Sequence, residues 1–174
     1  EAAFKDCEEA LKYPNPLLAI IQSILKKIQM DDFMLLRYKP LNRGYECILA
    51  SEKCKRATIS EENQFITKIK DLTKPTKIKK SSINSSNSIF ELFPNFSKIV
   101  ANPLDSGLFL ICTGNSLHSN YDLYFSSFSP FVKTLYYNYL LSTQKMASSS
   151  IELSKIDFNS TDLLDSDLSS RLFC

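Results

Sequence analysis

Three glycines, one histidine and no tryptophan occur in this chain of 174 residues. A single histidine means that any base–nucleophile pair must use His118. It also removes the ligand spacing that a structural zinc site needs, and no CxxC pair supplies one. Long hydrophobic runs are missing as well. The longest, such as Leu17–Ile21 and Gly107–Cys112, are far too short to cross a bilayer. No signal-peptide pattern follows Glu1, and the chain does not open on Met, so a fragment of a larger protein is expected. Neither sign of charge dominates. The formal net charge of +2 names no partner. The five cysteines (Cys7, Cys47, Cys54, Cys112, Cys174) are odd in number, and reduced thiols in a cytoplasmic protein are expected. Sequons at Asn84, Asn95 and Asn159 are what a chain rich in Asn and Ser produces by accident.

What is present suits one domain with a real core. Hydrophobic residues make up 44% of the chain and charged ones 23%, ordinary for a globular fold. Ala3–Tyr13 reads as a helix with Phe4, Cys7 and Leu11 on one face. Tyr13-Pro14-Asn15-Pro16 breaks it; Asn15 can cap the next helix, with Pro16 at its first position. Leu17, Ile21, Ile24 and Ile28 then form a stripe that Leu18 and Leu25 widen. Asp32–Tyr38 and Tyr45–Ala50 read as a hairpin around Pro40–Gly44. Ser60, Glu61 and Glu62 suit the start of a helix whose apolar face is Phe65, Ile66, Ile69 and Leu72. Thr76–Ile78 suits a short strand, Ser81–Ser88 a flexible loop, and Ile89–Phe93 a helical turn stopped by Pro94.

The most structured reading comes from Ser97 to Leu141. Ser97–Ala101 and Gly107–Thr113 are strands, joined through residues 102–106. From Asn120 to about Met146 the pattern is helical, with Tyr121, Phe125, Phe128, Val132, Leu135 and Tyr139 at spacings of three and four. Pro130 predicts a kink or break near Ser129. A second aromatic face holds Tyr124, Phe131, Tyr136 and Leu140, more than one sheet needs. Tyr124, Phe131, Tyr136, Tyr137 and Leu140 are therefore candidates for a homodimer or partner interface. Ala147–Ser150 reads as a linker, and Leu164, Leu168 and Leu172 suggest a short amphipathic tail helix.

No group of residues reads as catalytic. Ser116 and Ser119 flank His118 without an acid at a telling distance, so a surface-loop histidine is expected. Asp31 and Asp32, adjacent at a strand start, point to opposite faces. Asp6, Glu8 and Glu9 read as a solvated helix face. Residues 68–80 hold six lysines in 13 residues. No aromatic platform interleaves them and the overall charge is nearly balanced, so a solvated face is expected and nucleic acid is not an expected partner.

The element order is helix, two strands, helix, irregular loop, two strands and a long helix. With particular residues between Asn15 and Ser142, it resembles the GAF family of small-molecule sensor domains. A hydrophobic-Pro-Leu step between the last two strands is matched by Val100-Ala101-Asn102-Pro103-Leu104. Gly107 opens the final strand, Asp122 stands near the start of the closing helix, and Ile78 follows the Lys74-Pro75 step. The chain departs from the family at Arg56–Phe65, where a Gly-rich segment is common and no glycine occurs. Cys112 and His118 are six residues apart, unlike the adjacent pair of chromophore-binding relatives.

The resemblance implies an α+β (α/β) GAF/PAS-like fold: a central antiparallel sheet with N- and C-terminal helices on one face. The implied domain spans 15–146, after an N-terminal helical extension (1–14) and before a linker and tail (147–174). The implied role is a non-catalytic regulatory or sensory domain of a larger signalling protein, with a small ligand, a dimer interface or both. The alternative is a degenerate GAF, PAS- or longin-like interaction module in a scaffold or trafficking complex. A pocket under the Ser81–Phe96 loops would be lined by Tyr45, Cys47, Phe65, Phe90, Phe93, Phe96, Cys112 and His118. No metal ligand is expected, and the sequence names no cofactor.

Overall fold

Two apolar faces on one sheet set the architecture. The computed structural model describes residues 2–154, with side chains from 3 to 143. Helices α1 (Ala2–Ala10) and α2 (Pro16–Ile28) precede strands β1 (Asp32–Lys39), β2 (Gly44–Ala50) and β3 (Ile59–Ser60). Helix α3 (Gln64–Ile69), strand β4 (Thr76–Ile78) and helix α4 (Ile89–Leu92) follow. Strands β5 (Lys98–Asp105) and β6 (Leu108–Gly114) and helix α5 (Tyr121–Ser154) complete the order. The six strands form one sheet, β3-β2-β1-β6-β5-β4. Every neighbouring pair is antiparallel. Residues 1–133, which contain the whole sheet, make one compact unit; the chain from Thr134 belongs to a second.

The central strands β1 and β6 pair from Asp32↔Thr113 to Arg37↔Leu108. Side chains alternate across a strand. Phe33, Leu35, Leu108, Leu110 and Cys112 therefore face one way, and Met34, Leu36, Phe109 and Ile111 the other. All are buried, so both faces need cover.

The first face is covered by α2 and the opening turns of α5. Asn15 caps α2 as expected: its Oδ1 accepts from the Leu18 N–H at 3.1 Å, with Pro16 in the first turn. Leu17, Ile20, Ile21, Ile24, Leu25 and Ile28 are buried. Each such side chain is worth about 1.5–3 kcal/mol. Ile20 takes the place expected of Leu18, which is half-buried. The His118 N–H donates to the Ile28 carbonyl at 2.8 Å and ties the approach to α5 onto the end of α2. In α5, Phe125, Phe128 and Val132 are buried. Asn102, buried on the sheet, donates from Nδ2 to Ser129 Oγ at 3.0 Å.

Four expectations change. Helix α5 runs through Pro130, so of the expected kink or break the break does not occur. Ser129 Oγ donates to the Phe125 carbonyl at 2.5 Å one turn back. In α1 the buried residues are Ala3 and Ala10, while Phe4 and Leu11 are exposed, because small side chains let the helix approach α2 closely. Helix α3 starts after Asn63, whose Oδ1 accepts from the Phe65 N–H at 2.8 Å; Ser60 instead belongs to β3. Strand β5 continues through Pro103, at the position where the register shifts and no ladder N–H is required.

In the second unit Leu135 and Tyr136 are buried, and Tyr136 meets Tyr137 edge-on at 5.2 Å. The stretch expected to be a linker, Ala147–Ser150, is helical. The expected tail helix with Leu164, Leu168 and Leu172 lies outside the described residues.

Candidate functional site

The second face of the sheet is the one under which a pocket was expected, and its cover is built from side-chain amides. Asn63 Oδ1 accepts from Asn87 Nδ2 at 2.9 Å, and Asn63 Nδ2 donates to Ser88 Oγ at 3.2 Å. Gln64 Oε1 accepts from the Asn84 N–H at 2.7 Å, and Asn87 Oδ1 from the Ile89 N–H at 3.0 Å. The Ser81–Ser88 stretch, expected to be flexible, is thus pinned to α3. Asn and Ser hold turns through their own side chains, and composition alone does not separate that use from disorder.

Apolar side chains fill the space between this cover and the sheet. Ile83, Ile89, Leu92, Phe93 and Phe96 descend from the loops and α4. They meet Phe65, Ile66 and Ile69 of α3, and Met34, Leu36, Ile99, Ala101, Phe109 and Ile111 of the sheet.

Of the eight residues expected to line a pocket, six belong to this cluster: Tyr45, Cys47, Phe65, Phe90, Phe93 and Phe96. The Tyr45 ring lies 5.2 Å from that of Tyr38 and 5.9 Å from that of Phe109. Cys112 is fully buried on the opposite face, against the helices. His118 stands in the loop before α5, its Nδ1 accepting from the Asn120 N–H at 3.0 Å and its ring edge-on to Tyr124 at 5.3 Å. The structure does not bring these two to the other six.

Where the cover meets the edge of the sheet, an open cleft of about 190 Å³ is lined by Lys80, Ser85, Phe90, Asn95 and Phe96. The rings of Phe90 and Phe96 stack at 5.6 Å with 19° between their planes. Lys80 Nζ stands 5.7 Å from the first ring centre and 5.2 Å from the second. It also donates to the Phe96 carbonyl at 2.6 Å. Lys80 was not among the expected residues: no local pattern tells which lysine of a run turns back over rings 10 and 16 positions later. A second cleft, about 290 Å³, lies between α1 and α2, with Asp6, Glu9 and Lys26 on its walls.

Burial pushes the Cys47 thiol up, raises Cys54 to about 11 with help from the Asp32 carboxylate, and raises Cys112 further. A nucleophilic cysteine needs the opposite shift. Burial and then the neighbouring Asp31 raise Asp32. Among the described residues no group of three or more His, Cys, Asp or Glu is placed to hold a metal ion. No helix among them is long and apolar enough to cross a membrane.

The residues expected at an interface separate. Tyr124 and Phe131 are half-buried in the first unit, where Phe131 meets Phe4 edge-on at 6.5 Å. In the second unit Tyr137 and Leu140 are half-buried, and Tyr136 has no exposed surface. Leu123, 61% exposed in the first turn of α5, and Leu141, 39% exposed, are large apolar side chains that the reading of the helix missed.

No protein-family model matches this sequence. No curated protein matches it either. Solved structures do. The GAF domain of a phosphoenolpyruvate-protein phosphotransferase from Coxiella burnetii superposes with a TM-score of 0.61 at 10% identity, covering 83% of this chain and 94% of that one. The GAF domain of the Acinetobacter phosphoenolpyruvate-protein phosphotransferase gives 0.56 at 7% identity, covering 76% and 89%. The chain therefore has the GAF fold, with its antiparallel sheet and flanking helices, and at this identity the likeness is one of fold.

Proposed function

We propose that residues 15–146 are a non-catalytic regulatory domain of a larger signalling protein, acting in the cytoplasm by contact rather than by enclosing a small ligand. The observation that carries this reading is the cluster of buried apolar side chains that packs between the Ser81–Phe96 cover and the sheet. Small-ligand sites run to about 300–1,000 Å³. The cleft beside this core holds about 190 Å³ and opens to solvent. The elevated Cys54 thiol is unlike the lowered one that a nucleophilic cysteine needs. The free thiols of Cys7, Cys47, Cys54 and Cys112 suit a reducing compartment.

The contact surface is the outer side of α5, where Leu123 is exposed and Tyr124 and Phe131 are half-buried. Light scattering across protein concentration tests it. A homodimer, weakened by Leu123→Glu, is the expected result; a monomer at every concentration overturns dimerisation. A second reading keeps a small ligand at the open cleft, where two residues of the expected pocket, Phe90 and Phe96, present stacked rings.

A further inference from the structure

The lysines around β4 form the strongest charged feature of the molecule. Residues 68–98 carry seven lysines and two carboxylates, net +5, so the rest of this +2 chain is net −3. Lys68, Lys70, Lys74, Lys77, Lys79 and Lys80 are exposed and Lys98 is half-buried. The ion pairs among the described residues are Lys12–Glu9, Arg43–Glu61 and Lys133–Asp105, and none uses these seven. The β4–β5 register, Lys77↔Val100 and Ile78↔Ile99, sets Lys77 and Lys98 diagonally on one face. The neighbouring Lys98 ammonium lowers Lys77 from the usual lysine range. Two ammonium groups held side by side without a carboxylate favour an anion between them.

Edge strands often carry lysine to block strand addition. That accounts for Lys77 and Lys79 beside β4. It does not account for Lys68 and Lys70 at the end of α3, nor for Lys80 turned over two phenyl rings. The aromatic platform absent from the lysine run in the sequence is supplied in space by Phe90 of α4 and Phe96 after it.

We propose that this edge is a single-stranded nucleic-acid interface, in which Lys74, Lys77, Lys79 and Lys98 take backbone phosphates and a base stacks at the Lys80–Phe90–Phe96 cleft. Lysines on the Val100 side of the β4 edge, and the half-buried Phe90 ring on the other side, match the two demands of a strand that wraps this edge. An anionic bilayer is the weaker fit. Membrane-surface binders add exposed apolar side chains to their basic ones. Among the described residues, the exposed large apolar ones (Phe4, Leu11, Tyr13, Leu41, Leu123, Tyr139, Leu141) all lie outside 68–98.

The test is fluorescence anisotropy of the full chain with a labelled oligo-uridylate of about 15 nucleotides. Salt is varied from about 50 to 200 mM. Four phosphates engaged give a slope of log affinity against log salt near about −3. The surface variant Lys77→Gln/Lys79→Gln/Lys98→Gln shrinks that slope by about 2 and keeps the melting temperature. Phe90→Leu leaves the slope and weakens binding about tenfold. A duplex of equal length and phosphatidylserine vesicles bind less well. The proposal is overturned by no binding at the lowest salt, by a slope the lysine variant does not move, by silence of Phe90→Leu, or by tighter binding to vesicles.

Discussion

Burial holds Cys54 protonated, which gives the fold a reactivity signature. With its thiol at about 11 instead of 9.0, the thiolate fraction at pH 8 falls about a hundredfold. We expect iodoacetamide to modify Cys54 about a hundred times more slowly than a free cysteine at pH 8, as read by peptide mapping; equal rates would contradict the packing. The folded value exceeds the unfolded one. The associated stability is therefore complete below about pH 9 and lost as pH rises through about 11. Asn102 carries the second test at this scale. It is 2% exposed and donates to Ser129 Oγ, so Asn102→Ala removes a buried hydrogen bond and leaves a small void. Denaturant unfolding should show a loss of about 1–2 kcal/mol. An unchanged midpoint would mean that the bond holds nothing. These residues also mark the limit of reading from sequence. Cys112 and Phe65 looked alike as apolar pocket candidates, yet strand alternation sends Cys112 to the helix face, away from Phe65. That face is settled only by pairing with β1, which the local sequence does not contain.

Elements with their own local signals were legible. Asn15-Pro16 marks the start of α2, and alternation and a turn mark the β1–β2 hairpin. Elements decided by partners were not. Helix α1 buries its alanines because α2 is close, and Ser81–Ser88 is ordered by amides of α3 that only the fold brings near. Helix α5 is continuous although Pro130 lacks the N–H that would bond one turn back. Pro130→Ala should therefore stabilise the protein by about 1 kcal/mol or more in thermal unfolding; a drop would show that the ring itself supports the packing. At the other edge of the sheet, a Cβ on Gly44 would meet the Ile59 carbonyl oxygen at 2.7 Å. Backbone cannot move aside as a side chain can, so Gly44→Ala should displace β3 and cost about 1–3 kcal/mol. Hydrogen exchange at Ile59 and Ser60 reads the displacement directly.

At the scale of the whole molecule, one sheet keeps two apolar faces covered by different means. Helix α2 and the opening turns of α5 close the first, and α3, α4 and pinned loops close the second. The order of strands and helices carried the GAF-like architecture into the sequence, because hairpins and a closing helix leave local marks. Whether the second face encloses a cavity left no such mark. Phe65, Phe93 and Phe96 would read the same lining a pocket or filling it, and only their packing against Ile99, Phe109 and Ile111 distinguishes the two. The filled interior is the centre of the account, and thermal-shift screening of the full chain against cyclic nucleotides and small metabolites tests it most directly. A ligand that enters the folded core at saturating excess raises the melting temperature by several degrees. The account predicts no such shift from any member of the set; a rise of several degrees that Phe65→Ala or Phe93→Ala abolishes would contradict it.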